Sequence, residues 1–190
     1  MEKSALIVID MQNGFLDPAS PLFIAGAPAT VPACAEAIAH CRKNGIPVFF
    51  ITREYLPDGS NVEHTRYAAW LNGGKPLSQG CAENISTAMP EAFGEDESDF
   101  HLLKPRYSAF FDTSLDLILR RKGIRHVILA GTTTPNCIRT TCYDAICLDY
   151  NVTVLSDCTS SATEEIQQSN LRDMANVGAR ICSVTELKSE

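Results

Sequence analysis

The sequence lacks any apolar run long enough to cross a membrane. The longest runs, among them ALIVI at 5–9 and VILAG at 127–131, are far shorter than the roughly 20 residues that a spanning helix needs. Met1 leads directly into EKSALIVID, without the basic stretch, long apolar segment and cleavage site of an export signal. We therefore expect a cytoplasmic protein that does not bind membranes.

A basic cluster that could follow a phosphate backbone is also missing. The 190 residues include 16 Lys and Arg against 23 Asp and Glu, which gives a formal net charge of −7. Binding along a phosphate backbone requires a positive surface, so we expect no nucleic-acid partner. The composition, 45% hydrophobic and 21% charged, is typical of one soluble globular domain over residues 1–190 with a substantial core.

Metal-binding and redox spacings are absent although cysteine is plentiful. None of the eight cysteines pairs as C-x-x-C, and the four histidines form no H-x-x-x-H. We therefore expect no metal, no disulfide framework and reduced thiols. No G-x-G-x-x-G follows the first apolar run, which disfavours a dinucleotide, and we expect no cofactor. The cysteines lie at positions 34, 41, 81, 137, 142, 147, 158 and 182.

The sequence does contain a regular alternation of strand-like and helix-like segments. Continuous apolar runs such as SALIVID at 4–10 are typical of strands buried on both faces. Their alternation with helices predicts parallel βαβ units with right-handed crossovers, hence an α/β fold with a three-layer arrangement. The predicted strands are 4–10, 46–52, 99–104, 125–131, 151–157 and 179–184, and the predicted helices are 30–45, 112–123, 135–149 and 162–178.

A long segment at 53–98 interrupts this alternation. It is rich in Gly, Pro and Asn, with a short helix expected around RYAAWL at 66–71. A segment of this length inside a compact domain is more often a lid or a binding region than filler. We expect it to cover or complete a site, with Trp70 in that lid or in a subunit contact.

Three chemically complementary residues follow predicted strands. Asp10 closes the first strand, Lys104 closes the short strand before Pro105, and Cys137 lies a few residues after the strand that ends at Gly131. Ligands of such sheets bind at the carboxyl ends of the strands. We therefore expect a carboxylate, an ammonium and a thiol to meet at one edge of the sheet.

The position of Cys137 favours a reactive thiol. Thr134 is the expected N-cap and Pro135 the first helical residue, so Cys137 falls in the first turn of a helix. Free backbone N–H groups and the helix dipole there favour an anion, which predicts a lowered pKa for the thiol. Cys158, which follows the strand 151–157, is a rival nucleophile with a weaker helix start.

Each of these residues also has a common structural role. An Asp after a strand often caps a loop, a Lys before Pro is usually solvated, and a Cys in a first turn is more often packed than reactive. None of the three residues indicates a site by itself. The site is indicated because three residues from distant parts of the sequence are expected at the same edge of the sheet.

Three motifs resemble the signatures of the isochorismatase-like cysteine hydrolases. They are VIDMQNGF at 8–15, KPRYSAFFDT at 104–113 and GTTTPNCIRTTCYDA at 131–145, in the same order as in that superfamily. The resemblance implies a six-stranded, mostly parallel sheet with helices on both faces and an Asp-Lys-Cys triad. By motif position the triad is Asp10, Lys104 and Cys137. It also implies a cis peptide between Thr132 and Thr133, and an oxyanion hole from the backbone N–H groups of Thr133 and Cys137.

Departures from individual relatives narrow the expected chemistry. Isochorismatases proper, which cleave a vinyl ether, lack the cysteine, so Cys137 argues for acyl chemistry. Nicotinamidases carry a metal-binding Asp-x-His after the second strand, where this chain reads TREYLPDG at 52–59. That loop looks closer to relatives acting on carbamoyl or ureido compounds, such as N-carbamoylsarcosine amidase, ureidoacrylate hydrolase and biuret hydrolase.

The resulting hypothesis is hydrolysis of a C–N bond in a small amide, carbamoyl or ureido compound through a cysteine thioester. Asp10 would be the general base and Lys104 would favour the thiolate. Residues near the motifs are candidates for binding the substrate, and the resemblance suggests a homodimer or homotetramer. These substrate-binding candidates are Gln12, Phe15, Arg53, Tyr107 and Phe110.

Two other classes stay open. A haloacid-dehalogenase-like phosphotransferase also uses an Asp after the first strand and a later Lys, although it normally has a second Asp where this chain has Gln12. A non-catalytic redox-responsive thiol protein would use Cys137 for reversible oxidation. A magnesium requirement with phosphate release would favour the first, and thiol oxidation without turnover the second.

Overall fold

A computed structural model describes residues 3–94 and 96–189 of the chain. Six strands form one sheet in which every neighbouring pair is parallel, in the order β3-β2-β1-β4-β5-β6. This confirms the predicted six-stranded α/β fold. The strands are β1 Ser4–Ile9, β2 Val48–Thr52, β3 Phe100–Leu103, β4 His126–Thr132, β5 Asn151–Ser160 and β6 Arg180–Cys182.

Seven α-helices connect and flank the strands in the described part of the chain. Two of them, the first and the last, were not predicted, and the last begins with a Ser183–Glu186 capping box that the sequence does contain. Within residues 3–94 and 96–189, no helix combines the length and apolar character that a membrane crossing requires. The helices are α1 Asn13–Leu16, α2 Ala27–Lys43, α3 Tyr67–Asn72, α4 Leu115–Lys122, α5 Arg139–Cys147, α6 Glu164–Asn176 and α7 Val184–Lys188.

The sheet is covered on both faces, which explains why its central strand reads as a continuous apolar run. Alternate residues of β1 enter two separate cores. Ile7 and Ile9 pack with α4, α5 and α6, whereas Leu6 and Val8 pack with α2 and α7. The predicted apolar stripe of α2 is confirmed, because its members are all buried in the second core: Cys34, Ala37, Ile38 and Cys41.

Strand β5 is three residues longer than predicted, and this changes the position of Cys158. The residue lies inside the strand and is fully buried in the core shared with α2. The thiol of Cys34 donates a hydrogen bond to the Cys158 carbonyl at 3.4 Å. Contact with Cys34 and then burial raise the pKa of the Cys158 thiol. Cys158 is therefore a core residue and not the rival nucleophile that the sequence suggested.

The segment 53–98 contains local structure of its own. The helix expected at 66–71 is present as α3, directly preceded by a 3-10 turn at His64–Arg66, and further 3-10 turns follow at Glu83–Ile85 and Glu91–Phe93. Trp70 is only 4% exposed and its Nε1 donates to the Pro76 carbonyl at 3.0 Å. A small apolar cluster thus packs inside the segment, and Trp70 belongs to it and not to an exposed contact surface. Its buried members are Tyr55, Val62, Trp70 and Leu77.

Candidate active site

The structure brings Asp10, Lys104 and Cys137 together at the carboxyl edge of the sheet. Lys104 Nζ lies 2.7 Å from Asp10 Oδ2 and 3.5 Å from Cys137 Sγ. Asp10 and Lys104 are each 1% exposed and Cys137 is 6% exposed, so the interaction is shielded from water. Lys104 is therefore not the solvated lysine that its position before Pro105 would ordinarily suggest.

Backbone hydrogen bonds to β2 fix the positions of Asp10 and Lys104. Asp10 follows β1 with a φ of 53°, and its N–H donates to the Ile51 carbonyl of β2 at 2.9 Å. The N–H of Lys104 donates to the Thr52 carbonyl, also at 2.9 Å. The ammonium of Lys104 donates further to the Arg106 carbonyl at 3.1 Å. The ammonium is thus held by an ion pair with Asp10 and by two hydrogen bonds, to the Arg106 carbonyl and to the Cys137 sulfur.

Cys137 lies in a single π-helical turn, Thr134–Ile138, that precedes α5. The N-cap of this turn is Thr133 and not the predicted Thr134, whose hydroxyl instead donates to the Ser160 carbonyl at 3.0 Å. The Thr133 hydroxyl donates to the same carbonyl at 3.1 Å. The turn is thereby attached to the end of β5. The peptide bond between Thr132 and Thr133 is cis, as the family resemblance implies.

Burial first, and then the negative charge of Asp10, raise the pKa of the Cys137 thiol to about 11, against the opposing effects of Lys104 and Arg53. The sequence-based prediction of a lowered pKa is therefore wrong. Position in a first helical turn favours the thiolate, but desolvation and a nearby carboxylate outweigh it here. At neutral pH the site holds a protonated thiol beside Asp10.

A cavity of about 250 Å³ opens beside Cys137. Of the predicted substrate-binding residues, Phe15, Arg53 and Tyr107 line it, as does Thr133 of the predicted oxyanion hole. Arg66, Asn136 and the segment 21–24 also line the cavity and were not predicted from the sequence. Asn136 could have been predicted because it immediately precedes Cys137, whereas nothing in the local sequence pattern marks 21–24. The lining residues are Phe15, Pro21, Leu22, Phe23, Ile24, Arg53, Arg66, Tyr107, Thr133, Asn136 and Cys137.

Arg53 is a buried side chain, 2% exposed, and not a surface arginine. Its Nη1 donates to the carboxylate of Glu63 and to the hydroxyl of Tyr55, the latter at 2.8 Å. The guanidinium carbon also lies 5.3 Å from the ring centre of Tyr107. Burial disfavours the charged form of Arg53 and by itself would lower its pKa. The acidic groups around it, Asp10 first, outweigh burial, so the pKa of Arg53 is raised. Arg53 therefore remains a cation at the cavity wall.

Two predicted binding residues lie elsewhere. Gln12 is fully buried, and its amide is paired with backbone: Oε1 accepts from Arg53 N–H at 2.9 Å, and Nε2 donates to the Arg53 carbonyl at 3.0 Å. Gln12 thus positions Arg53 instead of contacting a ligand. Phe110 packs against the core, with its ring 5.7 Å from that of Tyr150, and is not among the residues that line the cavity.

A metal site is not formed by the usual ligand types in the described residues. Within 3–94 and 96–189, no group of three or more His, Cys, Asp and Glu side chains is placed to hold a metal ion.

The fold and the site define an α/β protein in which a carboxylate, an ammonium and a thiol converge beside a small cavity. A family model described as Isochorismatase domain matches residues 4–186. The chain therefore belongs to the isochorismatase domain family. Its sequence is 37% identical over 193 residues, 98% of this chain and 95% of the relative, to an Arabidopsis thaliana protein described as a probable inactive nicotinamidase.

Two further relatives extend the comparison. The ureidoacrylate amidohydrolase RutB of Azorhizobium caulinodans is 32% identical, over 88% of this chain and 81% of the relative. A crystal structure of an isochorismatase family protein from Desulfovibrio vulgaris superposes with a TM-score of 0.92 at 35% identity, covering 100% of this chain and 98% of that one.

Proposed function

We propose that this chain hydrolyses a C–N bond of a small amide, carbamoyl or ureido compound through a thioester on Cys137. The observation that carries the proposal is the position of Lys104 Nζ, 2.7 Å from Asp10 Oδ2 and 3.5 Å from Cys137 Sγ, beside a cavity that Cys137 lines. A nucleophile, a base and a cation that orients both are the parts that covalent acyl transfer needs.

Asp10 activates the thiol in this mechanism. Because the pKa of Cys137 is raised to about 11 by burial and by Asp10, the resting thiol keeps its proton at neutral pH. The nucleophile must then be generated when substrate is present, by transfer of that proton to a base. Asp10 Oδ1 has no hydrogen-bond partner among the described residues, so this oxygen is available to accept it.

The reaction proceeds through two acyl transfers. The thiolate of Cys137 attacks the carbonyl carbon, and the backbone N–H groups of Thr133 and Cys137 stabilise the oxyanion. Collapse breaks the C–N bond, and Asp10 returns its proton to the leaving ammonia or amine. Water then attacks the thioester, releases the acid and restores the thiol. A carbamoyl thioester would release carbamate, which decomposes to ammonia and carbon dioxide.

Lys104 positions the carboxylate and stabilises the developing thiolate. Its ammonium forms an ion pair with Asp10 and donates to the Arg106 carbonyl and the Cys137 sulfur, so it lies between Asp10 and Cys137. When the proton moves from sulfur to Asp10, the negative charge moves to the sulfur, and the same ammonium contacts both ends of that transfer. Charge stabilisation of this kind is stronger in a buried site than in water.

Small ureido or carbamoyl substrates are favoured over large ones. The cavity of about 250 Å³ is at or below the lower end of ordinary ligand pockets. One similar protein is named as a ureidoacrylate amidohydrolase. The Arabidopsis thaliana relative is described as a probable inactive nicotinamidase, so nicotinamide belongs in the substrate panel.

The two other classes raised by the sequence fit less well. Family membership gives no support to a phosphotransferase. A redox-responsive thiol requires an easily formed thiolate, and the raised pKa of Cys137, due first to burial, opposes that.

Ammonia release from a panel of carboxamides, carbamoyl amino acids, ureido acids, biuret and nicotinamide tests the proposal. We expect turnover of at least one ureido or carbamoyl compound by the wild type and none by Cys137→Ser. Cys147→Ser is the matched control, because Cys147 is an exposed free thiol outside the cavity. Equal turnover by wild type and Cys137→Ser would reject the thioester mechanism, and trapping of the acyl-enzyme by mass spectrometry would support it.

We also propose a homodimer or homotetramer. Large apolar side chains at the end of β3 and in the segment after it are exposed: Leu103 by 59%, Tyr107 by 37% and Phe111 by 57%. Tyr107 lines the cavity as well, so a second subunit on this surface would contact the site. Light scattering after size exclusion measures the assembly, and a monomer at all concentrations would contradict it.

A further inference from the structure

The cavity beside Cys137 has a positive lining in an acidic protein. Its described lining residues include Arg53 and Arg66 and no Asp or Glu, although the chain carries a net charge of −7. Asp10 lies outside the lining and is paired with Lys104. A cleft whose walls carry one sign of charge attracts ligands of the opposite sign.

Arg53, which lines this cavity, has two donors without a partner. Glu63 and Tyr55 occupy its Nη1, but Nε and Nη2 are buried and have no partner among the described residues. A buried donor without an acceptor is costly, so two of them on one side chain at a cavity indicate an acceptor supplied by a ligand.

The two free nitrogens form one edge of the guanidinium. Nε and Nη2 together match the two oxygens of a carboxylate. The same pair of nitrogens is used elsewhere in this chain, where Arg42 Nε and Nη2 hold Asp99 Oδ1 and Oδ2 at 3.3 and 2.5 Å. The guanidinium carbon of Arg53 also lies over the ring of Tyr107, 5.3 Å from its centre, which restricts the movement of the arginine side chain.

Arg66 provides the second cation. It is half-buried, ends the 3-10 turn that precedes α3, and lines the same cavity. It forms no ion pair with any other residue of 3–94 or 96–189. The two arginines therefore differ in kind: Arg53 is fixed by Glu63 and Gln12, whereas Arg66 is available to close over a bound anion.

We infer that the substrate carries a carboxylate, bound side-on by Nε and Nη2 of Arg53 and covered by Arg66, so that the substrates are ureido or carbamoyl acids. The inference rests on the proposed hydrolysis and specifies its substrate class. Neutral amides of similar size leave the two donors of Arg53 unpaired and are poor substrates.

The test compares acids with neutral compounds of the same shape. N-carbamoylglycine and 3-ureidopropanoate are paired with isobutylurea and 3-methylbutylurea, in which an isopropyl group replaces the carboxylate. We expect the wild type to prefer the acids by about 100-fold or more in kcat/KM for ammonia release, since a charge-assisted bidentate contact is lost in the ureas.

Variants of Arg53 and Arg66 test whether these arginines cause the preference for acids over ureas. Arg66→Gln and Arg53→Lys should each reduce the ratio of acid to urea by about tenfold or more. Arg53→Lys keeps a cation opposite Glu63, so the fold is retained while the paired nitrogens are lost. Arg121→Gln is the control, because it removes an exposed arginine from α4 outside the cavity and should leave the ratio unchanged.

Calorimetric titration of Cys137→Ser with the same compounds separates this inference from the hydrolysis. Binding of an acid, but not of its urea, that Arg66→Gln weakens supports the carboxylate site even if the wild type releases no ammonia. Absence of ammonia release by the wild type would reject the proposed hydrolysis but not the carboxylate site. Equal ammonia release from acids and ureas, with a ratio that neither arginine variant changes, would overturn the carboxylate site and leave the hydrolysis standing.

Discussion

Lys104 Nζ contacts Asp10 Oδ2 at 2.7 Å although the strands that deliver these residues, β3 and β1, are not neighbours in the sheet. Strand β2 lies between them, and both residues donate their backbone N–H to its last carbonyls. Two strand spacings amount to about 9–10 Å, which the long side chain of lysine bridges. The ammonium thus lies across the end of β2 and reaches Cys137, which follows β4.

Asp10→Asn should make the thiol easier to ionise and the enzyme slower. Removal of the carboxylate charge lowers the pKa of Cys137 from its value of about 11, so the thiolate appears at lower pH. Loss of the general base should nevertheless reduce turnover by about 10²–10⁴-fold. The pH dependence of iodoacetamide labelling at Cys137, read by peptide mass spectrometry, measures the first effect.

The control for this variant is Asp112→Asn, at an exposed position that asparagine tolerates with its φ of 54°. An Asp10→Asn protein that labels at lower pH and retains turnover would show that the thiolate alone suffices and that Asp10 is not the base.

Lys104→Met should move the labelling curve the other way. The ammonium is among the groups that lower the pKa of Cys137, so its removal raises that pKa and shifts labelling to higher pH. The buried Asp10 also loses its partner, which should destabilise the fold by about 3–5 kcal/mol. Labelling and urea unfolding measure the two effects, with Lys43→Met at the exposed end of α2 as control. An unchanged labelling curve in folded Lys104→Met would remove Lys104 from the electrostatics of the thiol.

The sequence predicted which residues meet but not the electrostatic state in which they meet. Asp10, Lys104 and Cys137 all follow strands, and parallel strands bring such residues to one edge whatever the details of packing. The direction of the Cys137 pKa shift depends on burial and on the distance to Asp10, and neither quantity is written in the local pattern.

The features that were placed wrongly or not predicted from the sequence also depend on contacts that no local pattern records. The register of β5 against β4 shifts between Leu129 and Gly131, and the longer β5 that follows takes Cys158 into the core. Arg53 is buried because it pairs with Glu63, ten residues later in an irregular segment. Contacts between irregular segments leave no periodic signal to read.

Glu63→Gln should destabilise the protein in a pH-dependent manner. Burial alone would raise the pKa of Glu63, but Arg53 and further hydrogen bonds outweigh it, so the pKa is lowered in the fold. The stabilisation is therefore present above the unfolded-state pKa of about 4.3 and is lost as pH falls through the lower folded-state value. We expect Glu63→Gln to lose roughly 2 kcal/mol at neutral pH and progressively less below about pH 4.

Urea unfolding at several pH values tests this, with Glu54→Gln, an exposed neighbour, as the control expected to change stability by less than about 0.5 kcal/mol. A loss for Glu63→Gln that stays constant from neutral to acid pH would mean that its charge does not stabilise the fold through Arg53.

Gly131→Ala should disrupt the contact that sets Asp10 and the cysteine turn side by side. An added Cβ at Gly131 would lie 2.0 Å from the Ile9 carbonyl oxygen, and the glycine has a φ of +115°. Ile9 immediately precedes Asp10, and Gly131 immediately precedes Thr132, so separating the two strands here should also misplace the site. We expect a loss of more than about 3 kcal/mol in urea unfolding. Gly123→Ala is the matched control, because its φ is +70° but no atom lies within 4 Å of the added Cβ, and about 1 kcal/mol is expected. Equal losses for the two variants would mean that backbone conformation, and not the close approach of β4 to β1, makes glycine necessary at 131.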